Sequence, residues 1–387
     1  MKKVFLTSLH LAHGGVEFVV SNLANALVEQ GVPVEILCTY RLGEPAYELD
    51  PRVQVTYLLQ CVPNKEEMAM AKKEKAYGRL FLAVLKGGVT YMAKYVVLAK
   101  AMRRIKDGII LASRHEDAKL LARFGHSSVM KIAHIHMDIS TKKNMEKEIG
   151  KYYKKLQGVV TLTEAARREV EGLLPKGGEV QVMAIPNFIL PLEKVSKEKK
   201  KTILAVGRLH EDKGFSRLLG IFRKVHNEHP FWALEIIGEG PLQGMLENLI
   251  KEYGLSSSVS LLGSLPNELV RDRMSEASIY AMTSLAEGFG IVLVEAMDAF
   301  MPVVAYDVPV GPRAILRERE TGFLIPDGEE SLFIEKLAWL MEEEALRKTM
   351  GQKAHEEAKK YHQPVVVKKW MDLFQVSSSS DKRHTKK

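Results

Sequence analysis

Short aliphatic and β-branched runs alternate along the chain with longer segments whose apolar residues recur at helical spacing. Val4-Phe5-Leu6-Thr7 is predicted as a first strand. A loop containing Gly14-Gly15 follows, then a helix from about Glu17 to Glu29 with Phe18, Leu23 and Leu27 on one face. Val34–Leu37, Val53–Val55, Ile109–Leu111, Lys131–Ile135 and Val159–Leu162 continue the series. The second half restarts the rhythm. Ile203–Val206 precedes a helix from about Phe215 to Glu228, and Leu234–Ile237 precedes a helix over Leu242–Tyr253. Val259–Leu262, Ile279–Met282, Val303–Ala305 and Phe323–Ile325 supply further strands. Strands separated by amphipathic helices predict repeated βα units on parallel sheets, an α/β fold class.

Two such series in 387 residues predict two Rossmann-like, doubly wound domains facing a cleft lined by the C-terminal ends of their strands. The boundaries read from the sequence are residues 1–190 and 191–362, a helix over 363–376 that crosses back, and a disordered basic tail at 377–387. Ile185-Pro186-Asn187 and the charged, pattern-free Glu193–Lys201 mark the linker. Cys38 and Cys61 are too few for a disulfide framework or a four-cysteine zinc site, and point to a reducing compartment. The first ten residues turn polar too soon for a signal peptide, and no run reaches about 18 uninterrupted apolar residues. A cytosolic chain is the expectation.

The net charge of +8 is unevenly spread: residues 1–190 carry 28 Lys and Arg against 19 Asp and Glu, whereas residues 191–376 carry 24 against 28. The basic excess is densest between Pro63 and Asp107, with eleven basic and four acidic residues. Such a patch attracts an anionic surface. Its lysines interleave with Phe81, Leu82, Leu85, Tyr91 and Val97 as in an interfacial helix, and Gly87-Gly88 is expected to divide it into two helices. Two readings stay open: docking on the inner face of an anionic cell membrane, or a solvated helix pair whose apolar faces are core. Nucleic acid is excluded as a partner, since the basic residues carry no reading motif and the acidic second half would repel a phosphate backbone.

Candidate chemistry concentrates in two motifs of the second half. In Glu287-Gly-Phe-Gly-Ile-Val-Leu-Val-Glu295, Glu295 falls two turns into an apolar helix, where a carboxylate is costly unless something donates hydrogen bonds to it. A ribose diol would supply two donors. Gly288 and Gly290 allow close backbone approach, and the helix start favours a diphosphate. In Val206-Gly-Arg-Leu-His-Glu-Asp-Lys-Gly214, Arg208 and Lys213 are spaced to meet one anion, one as a fork and one as a point charge. With no Asp-x-Asp pair and no clustered His and Asp, no metal is implied.

Together with the Gly14-Gly15 loop and Ile-Pro-Asn at the hinge, these motifs resemble the retaining glycosyltransferase family 4, over about residues 1–375. The likeness is to bacterial capsule, exopolysaccharide and teichoic-acid enzymes. The resemblance implies a GT-B fold and a nucleotide-sugar donor, UDP by the family's habit, with no cofactor beyond that co-substrate. It implies that Arg208 and Lys213 hold the donor diphosphate, Glu287 the sugar hydroxyls, Glu295 the ribose and the Phe289–Ile291 amides the phosphates. Gly14 and Gly15 would close on the diphosphate. The family places a histidine beside the transferred sugar. Here His136, the last in Ala133-His134-Ile135-His136-Met137-Asp138, is preferred over His134, and His115-Glu116, His10 and His13 are weaker candidates. The loop Tyr306–Ile315 resembles the form found in surface-polysaccharide enzymes, with Gly311 near the donor sugar; Ala314 stands where many have an acidic residue. The expected acceptor is lipid-linked or a cell-surface glycan. A nucleotide-sugar epimerase of the same fold and a non-catalytic nucleotide-sugar sensor are the alternatives. A dehydrogenase would need Gly-x-Gly-x-x-Gly after the first strand, which is absent.

Overall fold

The computed structural model describes residues 1–60, 64–137, 139, 144–196 and 198–384; Cys61, Pro63, Asp138, Lys197 and the last three residues lie outside it. The chain divides into two compact units, one of residues 1–185 with 367–387 and one of residues 186–366.

In the first unit the described strands are β1 (Val4–Ser8), β2 (Val34–Tyr40), β3 (Gln54–Leu59), β4 (Ile109–Ala112), β5 (Met130–Ile135), β6 (Gly158–Thr161) and β7 (Gln181–Ala184). They form one parallel sheet in the order β3-β2-β1-β4-β5-β6-β7. In the second unit the strands are β8 (Thr202–Val206), β9 (Ala233–Ile237), β10 (Val259–Leu261), β11 (Ile279–Met282), β12 (Val303–Asp307) and β13 (Gly322–Pro326). Their order is β10-β9-β8-β11-β12-β13, again parallel. The near-continuous aliphatic character of these strands follows from helices covering both faces. In each sheet the order reverses beside the first strand, between β1 and β4 and between β8 and β11. Loops at the carboxyl ends diverge there and leave a crevice.

The helices place the sites. Helix α1 (Gly15–Glu29) starts at the Gly14-Gly15 loop. Helix α2 (Lys65–Lys73) packs against α3 (Tyr77–Arg104), which runs unbroken through Gly87-Gly88, contrary to the expected division. The reason lies in packing: a Cβ on Gly87 would meet Asn64 Oδ1 at 3.0 Å, and Asn64 Nδ2 donates to the Ala83 carbonyl at 2.7 Å. The glycine thus serves close helix approach at modest cost to propensity. Helix α4 (His115–Phe124) follows β4, and α5 (Met145–Tyr152) and α6 (Glu164–Leu173) flank β6. In the second unit α7 (Phe215–His226) follows β8, α8 (Gln243–Glu252) follows β9, α9 (Asn267–Glu276) precedes β11 and α10 (Ile291–Asp298) follows it. Helix α11 (Gly311–Ile315) follows β12, and α12 (Glu330–Glu342) and α13 (Glu344–Ala358) follow β13. Helix α14 (Gln363–His384) carries Trp370 into the first unit's core, edge-on to His134 at 5.0 Å, and continues through the serine run read from composition as disordered.

The entry and exit of the second unit are joined. Ile189 and His362 form a parallel bridge, with Ile189 N–H donating to the Tyr361 carbonyl at 2.9 Å and Gln363 N–H to the Ile189 carbonyl at 3.0 Å. Buried Asp298 accepts from the Leu192 N–H and from His362 Nε2, each at 2.8 Å. One carboxylate at the end of α10 therefore fixes both strands of the crossover.

Candidate active site

Three loops meet at the carboxyl edge of the second sheet. After β8 the chain passes Gly207 and Arg208 into a short turn, Glu211–Lys213, then α7. Gly214 joins turn to helix at φ +65°, and a Cβ there would lie 2.1 Å from the Thr283 carbonyl oxygen. Only glycine fits both the left-handed backbone and that approach. The Thr283 hydroxyl donates back to the Gly214 carbonyl at 3.0 Å, so the β8 and β11 loops are stitched together.

This stitching brings Lys213 to Glu287. Its Nζ donates to Glu287 Oε2 at 2.6 Å, with both side chains largely shielded from solvent. Arg208 is exposed and lies 3.7 Å from Asp212 in the same turn. Glu287 also bridges Val310, a β-branched residue held at φ +78°. Such strain persists only where the surroundings enforce it. Gly311 packs onto the same turn: a Cβ would meet the Phe289 carbonyl oxygen at 2.7 Å and Glu287 Cγ at 3.1 Å.

Gly290 caps α10 and, having no side chain, makes no side-chain capping bond to the first amides of that helix. Phe289 is buried edge-on to Tyr361, which fixes the backbone from Gly288 to Ile291. Glu295 sits one turn before Asp298. Although part of its surface reaches solvent, burial pushes its carboxyl up to about 7, with Asp298 adding to the rise and Arg271 opposing it. Both Glu287 and Glu295 raise the buried Tyr280 hydroxyl further, so the two carboxylates act on one neighbourhood.

In the first unit a cavity of about 150 Å³ opens at the ends of β4 and β5. Ser113, Arg114, His134 and His136 line it, and Ser113 Oγ, Arg114 Nε, His134 Nε2 and His136 Nε2 are buried with no hydrogen-bond partner among the described residues. Four such atoms around one void mark a place for hydroxyls or an anion. Burial, and then the Arg114 charge, hold His136 down at about 3, so its ring is neutral at pH 7. Both histidines therefore reach the cavity; His134 is the more enclosed, between sheet and Trp370. His115 is otherwise engaged, with Tyr153 at 2.9 Å and Glu148 at 2.7 Å. Glu17 folds back over Gly14, where a Cβ would lie 2.1 Å from its Oε2, and pairs with Arg114 at 3.4 Å. His10 lies 3.8 Å from Glu17, and His13 stands edge-on to Tyr47.

Residues 191–357 match the family model described as glycosyl transferases group 1. The match lies within the second unit. The whole chain is 31% identical over 385 residues to an exopolysaccharide phosphotransferase of Streptomyces coelicolor, covering 97% of this chain but 40% of that protein. It is 27% identical to the amylovoran biosynthesis glycosyltransferase AmsD of Erwinia amylovora, covering 93% of this chain and 96% of that one. Among solved structures, a TarM mutant of S. aureus in complex with fondaparinux, alpha-GlcNAc-glycerol and UDP superposes with a TM-score of 0.75. Sequence identity there is 17%, over 97% of this chain and 100% of that one. The fold is GT-B. The epimerase and sensor readings are not favoured.

Within the second unit, two features escaped the motifs. Arg217 on α7 donates to the Thr283 and Ser284 carbonyls at 2.7 and 2.8 Å, pairs with Asp327 and lies over the Tyr306 ring, stapling the loops behind the site. Gly238 and Gly240 press against the Gly207–Leu209 backbone and set the height of the Arg208 turn. The Gly-Glu-Gly spelling after a strand was the available signal.

Proposed function

We propose that the chain is a retaining, metal-independent glycosyltransferase of family 4. It moves a sugar from a UDP-sugar to a lipid-linked or cell-surface glycan acceptor on the cytoplasmic side of a membrane, with no cofactor beyond the donor. The observation that carries this reading is the Lys213–Glu287 pair at the start of α10. Without donor the cation rests on the carboxylate. A diphosphate would draw Lys213 away, together with Arg208, and leave Glu287 to accept hydrogen bonds from the sugar. Glu295 would take the ribose hydroxyls, and the amides from Phe289 to Ile291 the phosphates. His136, as a neutral imidazole, would bond a hydroxyl of the transferred sugar, and the Gly14-Gly15 loop would meet the diphosphate.

In the reaction the bond from the anomeric carbon to the diphosphate breaks, and its electron pair leaves with the phosphate. The acceptor oxygen attacks from the same face, and its proton passes to the departing phosphate oxygen. Arg208 and Lys213 stabilise the charge that develops there. UDP bound in the TarM complex supports the choice of nucleotide. A thermal-shift panel of UDP, GDP and ADP sugars tests it: UDP compounds should stabilise the protein most, and a GDP or ADP preference would refute that assignment. Proton NMR of the first product reads the anomeric configuration, with inversion as the refuting result.

A further inference from the structure

More than half of helix α3 is exposed, although it packs on α2, α4, β2 and β3. Phe81, Leu85, Val89, Met92 and Val96 are all at least half exposed, and their spacing places them within about a quarter of the helix circumference. Lys72, Lys73, Lys75 and Lys86 are exposed in the same segment. Core packing of α3, the alternative read from the sequence, is limited to Ala83, Leu98 and Met102. The helix is long and apolar enough to cross a bilayer. Topology argues against a crossing. The strands on either side, β3 and β4, lie in one sheet, so a single crossing could not return, and α2 has nine residues, about 14 Å, too short to span.

The face beside the stripe holds a cavity of about 240 Å³, between α3 and the strand ends. Tyr91, Lys94 and Tyr95 come from α3; Arg114, Glu116 and Asp117 come from the start of α4. Tyr95 donates to the Tyr91 hydroxyl at 2.9 Å, and Lys94 Nζ lies 4.7 Å from both ring centroids. Aromatic faces with carboxylates and cations around them suit a hydroxyl-rich head. Arg114 and Glu116 also wall the second cavity, with its four unpartnered polar atoms. The two voids therefore share a partition that leads from α3 to His136.

We propose that α3 lies on an anionic bilayer and passes the saccharide head of a lipid-linked acceptor into the cavity at its inner face. The use of the cavity rests on the glycosyltransferase reading; the docking rests on the surface alone. The basic excess of the segment selects an anionic bilayer over a second copy of this equally basic surface.

The test sediments the full chain with vesicles of phosphatidylcholine, with and without phosphatidylglycerol. Binding is expected only with phosphatidylglycerol, weakening with salt. Leu85→Glu with Val89→Glu, both at exposed positions, should abolish it and leave the UDP-dependent thermal shift unchanged. Octyl glucoside below its micellar concentration should stabilise the wild type where glucose and octanol do not, and Lys94→Ala should weaken that effect about tenfold. Equal binding to both vesicles, binding to neither, or wild-type binding by the double variant overturns the docking, as does a dimer in solution that the double variant dissociates. An octyl glucoside response untouched by Lys94→Ala overturns the role of the cavity. Absence of a UDP shift in the wild type counts against the donor reading instead.

Discussion

If Glu295 holds the ribose, donor affinity must follow its ionisation. Burial raises this carboxyl from 4.5 to about 7. The shift biases the empty site toward the protonated form by at most about 3 kcal/mol. Ribose hydroxyls donate best to the ionised form, so binding should strengthen as the proton leaves. Only about a tenth of Glu295 is ionised at pH 6 and about nine-tenths at pH 8. The affinity for UDP-glucose, whose diphosphate has no titrating proton in this range, should therefore rise about tenfold between those pH values and level off above. Titration calorimetry reads it directly. Glu295→Gln should be flat across the range and weaker at pH 8 by about 1–3 kcal/mol, the worth of hydrogen bonds to a charged acceptor. Stability runs the other way. The folded state holds this proton more tightly than the unfolded state, so the ligand-free protein loses stability as pH rises from about 4.5 to about 7. Glu295→Gln should therefore melt higher than the wild type at pH 8. Wild-type affinity that is flat from pH 6 to 8, with Glu295→Gln binding equally well, would refute the assignment.

Glu287→Ala should cut turnover by about a hundredfold or more with circular dichroism unchanged, because the carboxylate's partner is Lys213 in the loop at the sheet edge. Near-normal turnover would remove it from the site. Arg208→Ala, at a side chain three-quarters exposed, should leave the melting temperature in place and lower kcat by about 3 kcal/mol of transition-state stabilisation. Gly214→Ala should destabilise the protein by more than about 1 kcal/mol in urea unfolding, since both φ and the Thr283 carbonyl oppose a methyl group. His136→Gln, which keeps a hydrogen-bonding group, should retain more turnover than His136→Ala; equal loss would mean the ring only packs.

Most strands were legible because they are short aliphatic, largely β-branched runs bounded by turns, and Glu295 because a carboxylate amid Ile291, Val292, Leu293 and Val294 needs a reason. The contact of Lys213 with Glu287 was not legible. It spans 74 positions and depends on a carbonyl–glycine fit at Gly214 that no local pattern encodes. Helix α3 defeated local reading in the same way: Gly87-Gly88 spells a break, yet the close approach of Asn64 to the helix uses it. Strand β7 is half-buried at the sheet's edge, and Gln181-Val182-Met183-Ala184 carries too little β-branching to stand out. The histidines of β5 could not be separated by sequence because they are not separate; both rings turn to one void.

The bridge between Ile189 and His362 means that the second unit begins and ends at adjacent points. A segment built that way is portable: it can be spliced into a loop of an unrelated host, or have the first unit exchanged, without a spacer to span its girth. If the proposed function holds, chimeras joined at this bridge should take donor choice from one parent and acceptor choice from the other.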